Sequence, residues 1–385
     1  MKRLNIQTVI WACVVGFLAS CNGGGTAGDT SPQPPQVIEL RAVVLKTELV
    51  RPWGITFLPD ERILVSEKRG GMLILDPDGA TIQDELVGLP PVEAAGQGGL
   101  LDVAIDPDFA IDPWIYWTYS EPGSGAESGL AGTSVARGHL AGTDLLDVEV
   151  IYRQVPKVDG TGHYGSRLAF GSDKTLFVTL GERQKGSPAQ DPTNTLGKVI
   201  RIHRDGSVPP DNPIIEGSRT EIWSYGHRNP QGAAIRPGTE QLWTTEHGPQ
   251  GGDELNRIVA GGNYGYPVVS YGCNYGDPVG DACRIGGGTH APEYIEPVSY
   301  WVPTSIAPSG MIFYTGNGFP SWQGDVLLGA LAGTALWRIQ LEGEAEVMRE
   351  AMFSELGERI RDVEQGPGGW IYLLTDSGKL IQIRD

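Results

Sequence analysis

The stretch SRLAFGSDKTLFVTLGE, from Ser166 to Glu182, contains the unit from which most of the chain is built. One apolar run is followed by a turn that contains glycine and aspartate, and a second apolar run follows the turn. β-Branched and aromatic residues in such short runs favour strands over helices, and glycine with aspartate is typical of a tight turn. The stretch therefore predicts a β-hairpin.

The same pattern recurs along the chain, and successive copies start roughly 50 to 80 residues apart, as in elaborated propeller blades. The other copies are Trp53–Glu67, Leu100–Ser120, Gly232–Gly248, Gly310–Leu331 and Ile360–Asp376. Together the six units predict an all-β fold, a six-bladed β-propeller, in which Val37–Val50 completes the last blade. A pair of β-sandwiches is the alternative, but it leaves the repeated unit unexplained.

Polar residues precede the first strand of several units. They are Gln97, His163, Arg228, Asn229, Arg359 and Arg361. In a propeller the inner strands converge on a central channel, so we expect the loops at one end to form a single site. A neutral imidazole is the usual general base near pH 7, and an arginine fork pairs with a carboxylate through two hydrogen bonds. These residue types predict an active site at this end of the propeller, with His163 as a candidate base.

The composition limits the class of partner. Lys and Arg together number 29 and Asp and Glu 47, which gives a net charge of −18. Such a charge argues against binding to nucleic acid and against electrostatic docking on anionic lipid. The 55 glycines and 28 prolines indicate a turn-rich chain, whose length is sufficient for a substantial core.

The N-terminus has the layout of an export signal. Two basic residues precede a short apolar run, and the ending Leu18-Ala19-Ser20-Cys21 resembles a bacterial lipobox. We expect residues 1–21 to be a lipoprotein signal peptide, 22–36 a flexible Gly/Ser/Pro tether and 37–385 the propeller domain. The protein would then be a periplasmic or cell-surface lipoprotein, anchored in the outer membrane only through a lipid on Cys21. Plain secretion is the alternative.

Two cysteines, Cys273 and Cys283, lie in the part of the chain that remains after export. They are close in sequence and bracket a loop rich in glycine and aspartate. Because exported chains favour disulfides and two thiols are too few for a zinc site, we expect a disulfide between them.

Several long motifs occur in order from about Arg51 to the C-terminus. They include RPWGITFLPD (51–60), GQGGLLDVAIDPDF (96–109), GHYGSRLAF (162–170), AQDPTNTLGKVIRI (189–202) and RIRDVEQGPGGWIYLLTD (359–376). They resemble those of the soluble aldose sugar dehydrogenases that depend on pyrroloquinoline quinone (PQQ), the glucose/sorbosone dehydrogenase family. The resemblance implies oxidation of an aldose sugar at its anomeric carbon to the lactone, with electrons passed to an external acceptor.

The resemblance also implies roles for individual residues. His163 would remove the proton of the anomeric hydroxyl, and Glu182 would orient its imidazole. The implied PQQ contacts are Gln97, Arg228, Asn229, Tyr275, Ala330, Ala332, Arg359 and Arg361. One Ca²⁺ would bind the carbonyls of Gly248 and Pro249, and a second, structural ion would bind Glu254 and the backbone of Tyr264.

Two positions depart from many family members. Ala332 stands where those members have a lysine that pairs with PQQ, so one cationic contact is missing. Glu182 stands in TLGER where glucose-type members have aspartate, and it places the chain with the aldose-type members.

Two other classes of function stay open on this architecture. One is a calcium-dependent hydrolase of the lactonase type, and the other is a non-catalytic propeller that binds carbohydrate. Neither needs several cations around a tricarboxylate, which is what distinguishes the dehydrogenase. An NAD enzyme is not indicated, because no GxGxxG motif occurs in a βαβ context.

Overall fold

The structure is a computed structural model that describes residues 7–8, 40–83 and 85–385. The predicted tether 22–36, Cys21 and all of the predicted signal peptide except residues 7–8 lie outside the described residues. The predictions for these segments are therefore not addressed by the structure. Within the described residues, no helix is long and apolar enough to cross a membrane.

Antiparallel β-sheets make up almost all of the regular secondary structure in the described residues. Two strands come first, β1 (Gln7–Thr8) and β2 (Leu40–Lys46). Blade 1 contains β3 (Pro52–Phe57), β4 (Ile63–Glu67), β5 (Met72–Leu75) and β6 (Thr81–Gln83). Blade 2 contains β7 (Leu100–Ile105), β8 (Trp114–Pro122), β9 (Ala131–Ala141) and β10 (Asp144–Arg153). Blade 3 contains β11 (Gly165–Phe170), β12 (Leu176–Leu180), β13 (Lys198–Ile202) and β14 (Ile222–Tyr225).

The other blades follow the same order. Blade 4 contains β15 (Pro230–Ile235), β16 (Leu242–Glu246), β17 (Asp253–Arg257) and β20 (Ser299–Trp301), with a separate hairpin of β18 (Ser270–Cys273) and β19 (Arg284–Ile285). Blade 5 contains β21 (Pro308–Phe313), β22 (Val326–Ala330), β23 (Leu336–Glu342) and β24 (Ala345–Met352). Blade 6 contains β25 (Ile360–Gln365), β26 (Ile371–Thr375) and β27 (Leu380–Arg384), followed by β2 and β1. Short 3-10 turns lie at Gly125–Glu127, Ser187–Gln190, Asp281–Cys283, Pro320–Trp322, Ser354–Leu356 and Pro367–Gly369.

The first strands of the six blades form a closed ring. Each contacts the first strand of the next blade, and β25 of blade 6 contacts β3 of blade 1. β2 pairs antiparallel with β27, so the N-terminal strand completes the blade that the C-terminus begins. The six-bladed β-propeller is therefore confirmed, and so is the closing role of the N-terminal segment over Leu40–Lys46. A ring of this kind excludes the two-sandwich alternative.

Apolar side chains fill the space between neighbouring blades. Trp243 of blade 4 meets Phe313 of blade 5 edge to face, with 5.7 Å between ring centroids. Phe57 of blade 1 meets Tyr372 of blade 6 at 4.7 Å, across the point where the ring closes. Such aromatic pairs add to the apolar area that the stacked blades bury.

The first strand of every blade begins with a break in its pairing register. The breaks lie between Pro52 and Ile55, Leu100 and Val103, Gly165 and Leu168, Pro230 and Gly232, Pro308 and Met311, and Ile360 and Asp362. A β-bulge bends a strand and redirects its side chains. All six breaks lie at the end of the propeller where the first strands begin, which is also where the second strands end.

A buried ion network crosses the central channel. One guanidinium nitrogen of Arg167 lies 2.8 Å from Asp102 and 2.9 Å from Asp362, and the group stacks over Trp53 at 4.5 Å. Burial is the largest cause that raises the pKa of Asp102, to about 7, while Arg167 opposes it. The network joins blades 2, 3 and 6 beneath the loops described next.

The predicted disulfide is present. Cys273 and Cys283 are bonded, with 5.2 Å between their Cα atoms. The bond closes the loop that follows β18, at the side of blade 4.

Candidate active site

A cleft of about 240 Å³ lies where the first strands begin. Five of the six blades contribute to its lining, which consists of Trp53, Lys68, Gln97, Gln231, His247, Ala307, Leu331, Arg359 and Arg361. Residues that are far apart in the sequence thus share one site, as the propeller geometry predicts. Gln97, Arg359 and Arg361 were expected there from the sequence alone.

His163 lies beside this cleft, at the turn before β11. Its backbone N–H donates to the side-chain oxygen of Gln97 at 2.7 Å. Its ring Nδ1 bonds to a carboxylate oxygen of Glu182, which follows β12 in the same blade. The second oxygen of Glu182 accepts from the backbone N–H of Gly186 at 2.7 Å. The expected pairing of His163 with Glu182 is therefore present.

The electrostatics of this pair favour a neutral imidazole. Burial is the largest cause that lowers the pKa of His163. Its effect is greater than that of the hydrogen bond to Glu182, which raises the pKa. Burial by itself would raise the pKa of Glu182. Its hydrogen bond to His163 and other contacts outweigh this effect and keep the pKa of the carboxyl below its ordinary value. An ionised carboxylate can only accept, so Nδ1 carries the proton and Nε2 is left as an acceptor.

The backbone at His163 is held in an unusual conformation. Its φ is 52°, in the left-handed region that residues other than glycine seldom adopt. A Cβ atom at Gly181 would lie 2.0 Å from the carbonyl oxygen of His163, so only glycine lets the end of β12 come this close. Strained residues of this kind cluster at functional sites.

Arg228 and Asn229 lie on the next blade, just before β15. The side-chain oxygen of Asn229 accepts from the N–H of Gly165 at 3.1 Å, which ties it to the turn of His163. Arg228 is buried and donates to the carbonyl of Gly248 at 2.6 Å. Its Nε has no hydrogen-bond partner among the described residues. A buried guanidinium with an unused donor fits a ligand that carries acceptor oxygens.

The other two arginines share one carboxylate. Nε of Arg359 lies 2.9 Å from Asp376 and Nε of Arg361 lies 3.0 Å from it. Arg361 also donates to the side chain of Gln231 at 2.9 Å. The two side chains therefore lie on the same side of the chain, as their alternation along β25 predicts.

A second, much smaller cavity of about 10 Å³ lies under Arg228. Gly248, Glu254 and Tyr264, three of the expected calcium ligands, line it together with Glu246. A cavity of this size holds about one water molecule or ion.

Two buried carboxylates face each other at this cavity. One amide nitrogen of Asn256 donates to Glu246 at 3.3 Å and to Glu254 at 3.1 Å. Burial is the largest cause that raises the pKa of Glu254 well above its ordinary value, and Glu246 adds to it. The side-chain oxygen of Asn256 is buried without a partner in the described part of the chain. A cation in the cavity would relieve the repulsion between the two carboxylates.

Side chains alone do not form a complete metal site. Over the described ranges, no group of three or more His, Cys, Asp or Glu residues has the geometry for a metal ion. Asp253, the neighbour of Glu254, is fully engaged, since it accepts from Gly248, Ser305, Ile306 and Ala307. Calcium here would need backbone carbonyls, which are among its ordinary ligands.

The sequence of this chain is similar to those of known proteins. The family model described as Glucose / Sorbosone dehydrogenase matches residues 49–382. Aldose sugar dehydrogenase YliI of Escherichia coli (strain K12) is 41% identical over 348 residues, which cover 88% of this chain and 91% of that protein. The chain belongs to the glucose/sorbosone dehydrogenase family. The resemblance seen in the motifs is thereby confirmed, and so is the expectation of an oxidoreductase.

Two solved structures of aldose sugar dehydrogenases have a fold similar to that of this chain. The apo-form of the soluble aldose sugar dehydrogenase (Asd) from Escherichia coli has a TM-score of 0.83 and 38% identity, and the match covers 89% of this chain and 99% of that one. The PQQ-bound form of aldose sugar dehydrogenase (Adh) from Streptomyces coelicolor has a TM-score of 0.70 and 28% identity, with coverages of 90% and 98%.

The turn after β22, where many family members carry a lysine, holds no cation. The backbone N–H groups of Ala330, Leu331 and Ala332 donate to the carbonyls of Ala335, Ala307 and Ile306. These amides are therefore used within the protein, and a ligand at this turn would meet carbonyls and side chains. The contacts expected of Ala330 and Ala332 remain predictions.

Tyr275 and His227 lie in contrasting environments. Tyr275 is 73% exposed in the disulfide loop, so its contact with a cofactor also remains a prediction. His227, the neighbour of Arg228 in the sequence, is fully buried, and its ring stacks on Tyr264 at 4.5 Å between centroids.

Two charged residues that follow the second strand of a blade were missed by sequence reasoning. Asp376 follows β26 and Lys68 follows β4, as His247 follows β16. These positions face the same end as those before the first strands, because the two strands pair antiparallel. The repeated hairpin could have identified them, since Pro52 pairs with Glu67, Pro230 with Glu246 and Ile360 with Thr375.

His247 lines the cleft with an uncharged imidazole. Its Nε2 donates to the carbonyl of Pro308 at 2.7 Å, and its Nδ1 faces the amide of Asn229 at 3.5 Å. Burial, followed by the nearby charge of Arg228, lowers its pKa to about 3. The imidazole therefore stays uncharged and helps to orient Asn229.

Proposed function

We propose that the protein oxidises an aldose sugar at its anomeric carbon to the lactone, with PQQ held in the cleft, Ca²⁺ beside it and electrons leaving to an external acceptor. The observation that carries the proposal is the contact between Gln97 and His163, which joins an oriented, neutral base to a cleft that contains several cations. The names of the relatives support the same substrate class and cofactor.

The residues present fit PQQ, which bears three carboxylates and two adjacent quinone oxygens. Arg228, Arg359 and Arg361 offer guanidinium donors, and Gln97 and Gln231 offer amides. When bound, PQQ supplies the acceptor for the hydride that leaves C1 of the sugar. The protein supplies binding, orientation and electrostatics.

His163 is the residue that handles the proton. With Nδ1 held by Glu182, its Nε2 accepts the proton of the anomeric hydroxyl as C1 loses hydride. The oxygen on C1 becomes the carbonyl oxygen of the lactone, and the imidazolium that forms is stabilised by the carboxylate of Glu182. The low pKa of His163 keeps it unprotonated, and therefore ready to act, at neutral pH.

Calcium has two proposed roles in this site. At the turn of Gly248 and Pro249 it would lie next to the cofactor, where Arg228 already binds the Gly248 carbonyl. At Glu254 and the backbone of Tyr264 it would neutralise the buried acidic pair. The raised pKa of Glu254 and the position of Glu246 beside it support the second role.

The two other functions fit the cleft less well. A lactonase-type hydrolase needs a metal-bound water near its substrate, but the acidic pair lines a separate cavity with room for about one water or ion. A carbohydrate-binding propeller has no need of a strained, carboxylate-bound histidine beside arginines.

The proposal extends to the location of the protein. We propose that it is exported and held at the outer membrane by a lipid on Cys21, with residues 22–36 as a tether. The lipobox-like ending of the signal and the disulfide between Cys273 and Cys283 support export.

A reconstitution assay tests the function. Chelated protein made without PQQ is supplied with PQQ, Ca²⁺, both or neither, and reduction of a dye is followed with a panel of aldoses. Each aldose is matched with its methyl glycoside, which lacks the anomeric hydroxyl. We expect activity only with both additions and only with the free aldose, with a product lighter by two hydrogens. Lactone hydrolysis in the absence of PQQ would favour the hydrolase instead.

A further inference from the structure

One cation of the cleft has no role in the function proposed so far. Lys68 follows β4 in blade 1 and lines the cleft with Arg359 and Arg361. Its ammonium donates to the carbonyl of Gly96 at 2.6 Å. An ammonium has three N–H donors, so this bond leaves two. No carboxylate forms an ion pair with Lys68 in the parts of the chain that the structure describes.

The backbone of Lys68 is fixed on both sides. Its N–H donates to the carbonyl of Arg51 at 3.1 Å, and its carbonyl accepts from Leu100 of blade 2 at 3.2 Å. A Cβ atom at Gly99 would lie 2.1 Å from the Lys68 oxygen, so the two blades pack tightly at this point. The backbone that carries the Lys68 side chain is therefore already ordered before a ligand binds.

The cleft carries more positive than negative charge around Lys68. Arg359 and Arg361 already share the one carboxylate of Asp376. Burial is the largest cause that lowers the pKa of Lys68, to about 8, and the charges of Arg361 and Arg51 lower it further against Asp376. Cations held together in this way repel one another in the free protein, and an anion in the cleft would relieve the repulsion.

The positions on the two sides of blade 6 differ in charge. Blades 1 and 5 both neighbour blade 6, which carries Arg359 and Arg361. In blade 5 the residues after the second strand, Leu331 and Ala332, are uncharged. Blade 1 has Lys68 at the corresponding position, so the two arginines have a further cation on one side only.

We propose that Lys68 is a further anion-binding residue of this cleft and that its ammonium pairs with a carboxylate of the bound cofactor. The inference rests on the proposed function, because it takes PQQ as the anion. It assigns to blade 1 a charge contact that neither the motifs nor the arginine positions indicated.

Binding of PQQ to the full chain, without sugar or dye, provides the test. Apo-protein supplied with Ca²⁺ is titrated with PQQ by calorimetry and by quenching of tryptophan fluorescence, to which Trp53 in the cleft contributes. A hydrogen bond to a charged group contributes enough that its loss should weaken binding roughly 10- to 100-fold in Lys68→Met. Lys68→Arg should retain most of the affinity. Lys174→Met is the matched control. Lys174 lies in the turn after β11, at the opposite end of the propeller from the cleft, and it pairs with Asp108.

The pH dependence separates anion binding from a structural role. Below pH 8 the free ammonium is already charged, whereas above it PQQ binding must take up a proton. The affinity of the wild type should therefore fall by up to about tenfold per pH unit above pH 8. The other charges that act on Lys68 are those of Arg361, Arg51 and Asp376. The affinity of Lys68→Arg should be flat with pH, because arginine stays charged.

The possible outcomes are distinct. Wild-type binding that weakens above pH 8, with a flat Lys68→Arg profile, supports the inference. If Lys68→Met binds PQQ as tightly as the wild type, Lys68 is not an anion-binding residue, although the proposed function stands. If Lys68→Met binds weakly but the wild type shows no dependence on pH, Lys68 only holds the loop of Gly96 and the inference is wrong. A wild type that does not bind PQQ overturns both proposals.

Discussion

The side-chain oxygen of Gln97 accepts a hydrogen bond from the backbone N–H of His163, and the two atoms are 2.7 Å apart. Gln97 precedes the first strand of blade 2 and His163 that of blade 3, so the bond joins two blades at the mouth of the channel. It couples the position of the base to a residue that lines the cleft. Because the bond uses the backbone of His163, it survives replacement of the imidazole, so the roles of base and cleft can be tested separately.

Replacement of His163 should abolish turnover without loss of the cofactor. We choose His163→Asn, because asparagine tolerates the left-handed backbone at φ 52° better than alanine does. Loss of a general base typically lowers kcat about 10²- to 10⁴-fold. The PQQ concentration for half-reconstitution should change little. His203→Asn, at an exposed position, is the control, and near-normal turnover of His163→Asn would show that another residue is the base.

The pH profile should report the environment of His163. Its lowered pKa means that kcat/KM stays level as the pH falls to the ordinary histidine range near 6.5 and decreases only below it. In Glu182→Gln the imidazole loses the carboxylate that raises its pKa. The acidic limb should therefore move to a still lower pH, while kcat falls because Nδ1 is less well oriented. A limb that stays in place would mean that Glu182 does not act through His163.

Arg361 should contribute mainly to cofactor affinity. Arg361→Ala removes a guanidinium from the cleft and leaves Asp376 and Gln231 without one partner each. We expect the PQQ concentration for half-reconstitution to rise roughly tenfold or more. The kcat at saturating PQQ should change much less than in His163→Asn. Arg62→Ala, on the surface, is the control. If kcat falls and PQQ affinity is unchanged, Arg361 acts on the reaction and not on binding.

Calcium should stabilise the protein in a way that depends on pH. The folded-state pKa of Glu254 is raised, so without metal the protein loses stability as pH rises above the ordinary glutamate range, where the unfolded chain ionises freely. Added Ca²⁺ should therefore raise Tm more at pH 8 than at pH 5.

Two neighbouring variants check this expectation. Glu254→Gln should remove the calcium effect and raise the metal-free Tm at pH 8, because it removes a buried like charge next to Glu246. Asp253→Asn should lower Tm with or without calcium, since Asp253 accepts four hydrogen bonds. Equal responses of the two variants to calcium would argue against a metal at Glu254.

Lipid on Cys21 should hold the full chain in the membrane fraction. Labelling with palmitate is expected to mark the wild type, whereas Cys21→Ala should be unlabelled and released or mislocalised. Cys13→Ala is the matched control, because Cys13 lies inside the apolar run of the signal. A wild type that takes up no label would point to plain secretion.

Much of the fold followed from the sequence because a propeller repeats a local unit. Each copy contains two apolar runs and a turn, and this pattern depends only on neighbouring residues. The closing strand was also predictable, since β27 needs a partner and only the N-terminal segment remained. The first-strand site residues, such as Gln97 and His163, followed from their place before each unit.

Contacts between strands were not predictable in this way. The pairing of Arg359 and Arg361 with Asp376 depends on the register between β25 and β26, which the motif at 359–376 does not fix by itself. The facing of Glu246 and Glu254 depends on the register between β16 and β17. The burial of His227 also depends on tertiary contacts, because its ring stacks against Tyr264 in the interior.

The sequence by itself therefore determined the six-bladed architecture, the family and the residue types at the site, because these depend on local patterns and on motifs in order. Only the tertiary structure decided which charges meet, which are buried and which are left without a partner. Lys68 illustrates the difference: its position after β4 is local, but the lowering of its pKa comes from its burial and from the charges of Arg361 and Arg51. Arg361 belongs to blade 6 and lies beside Lys68 only because the ring closes. Electrostatic effects depend on distance and burial in space, and neither is written in the order of residues along the chain.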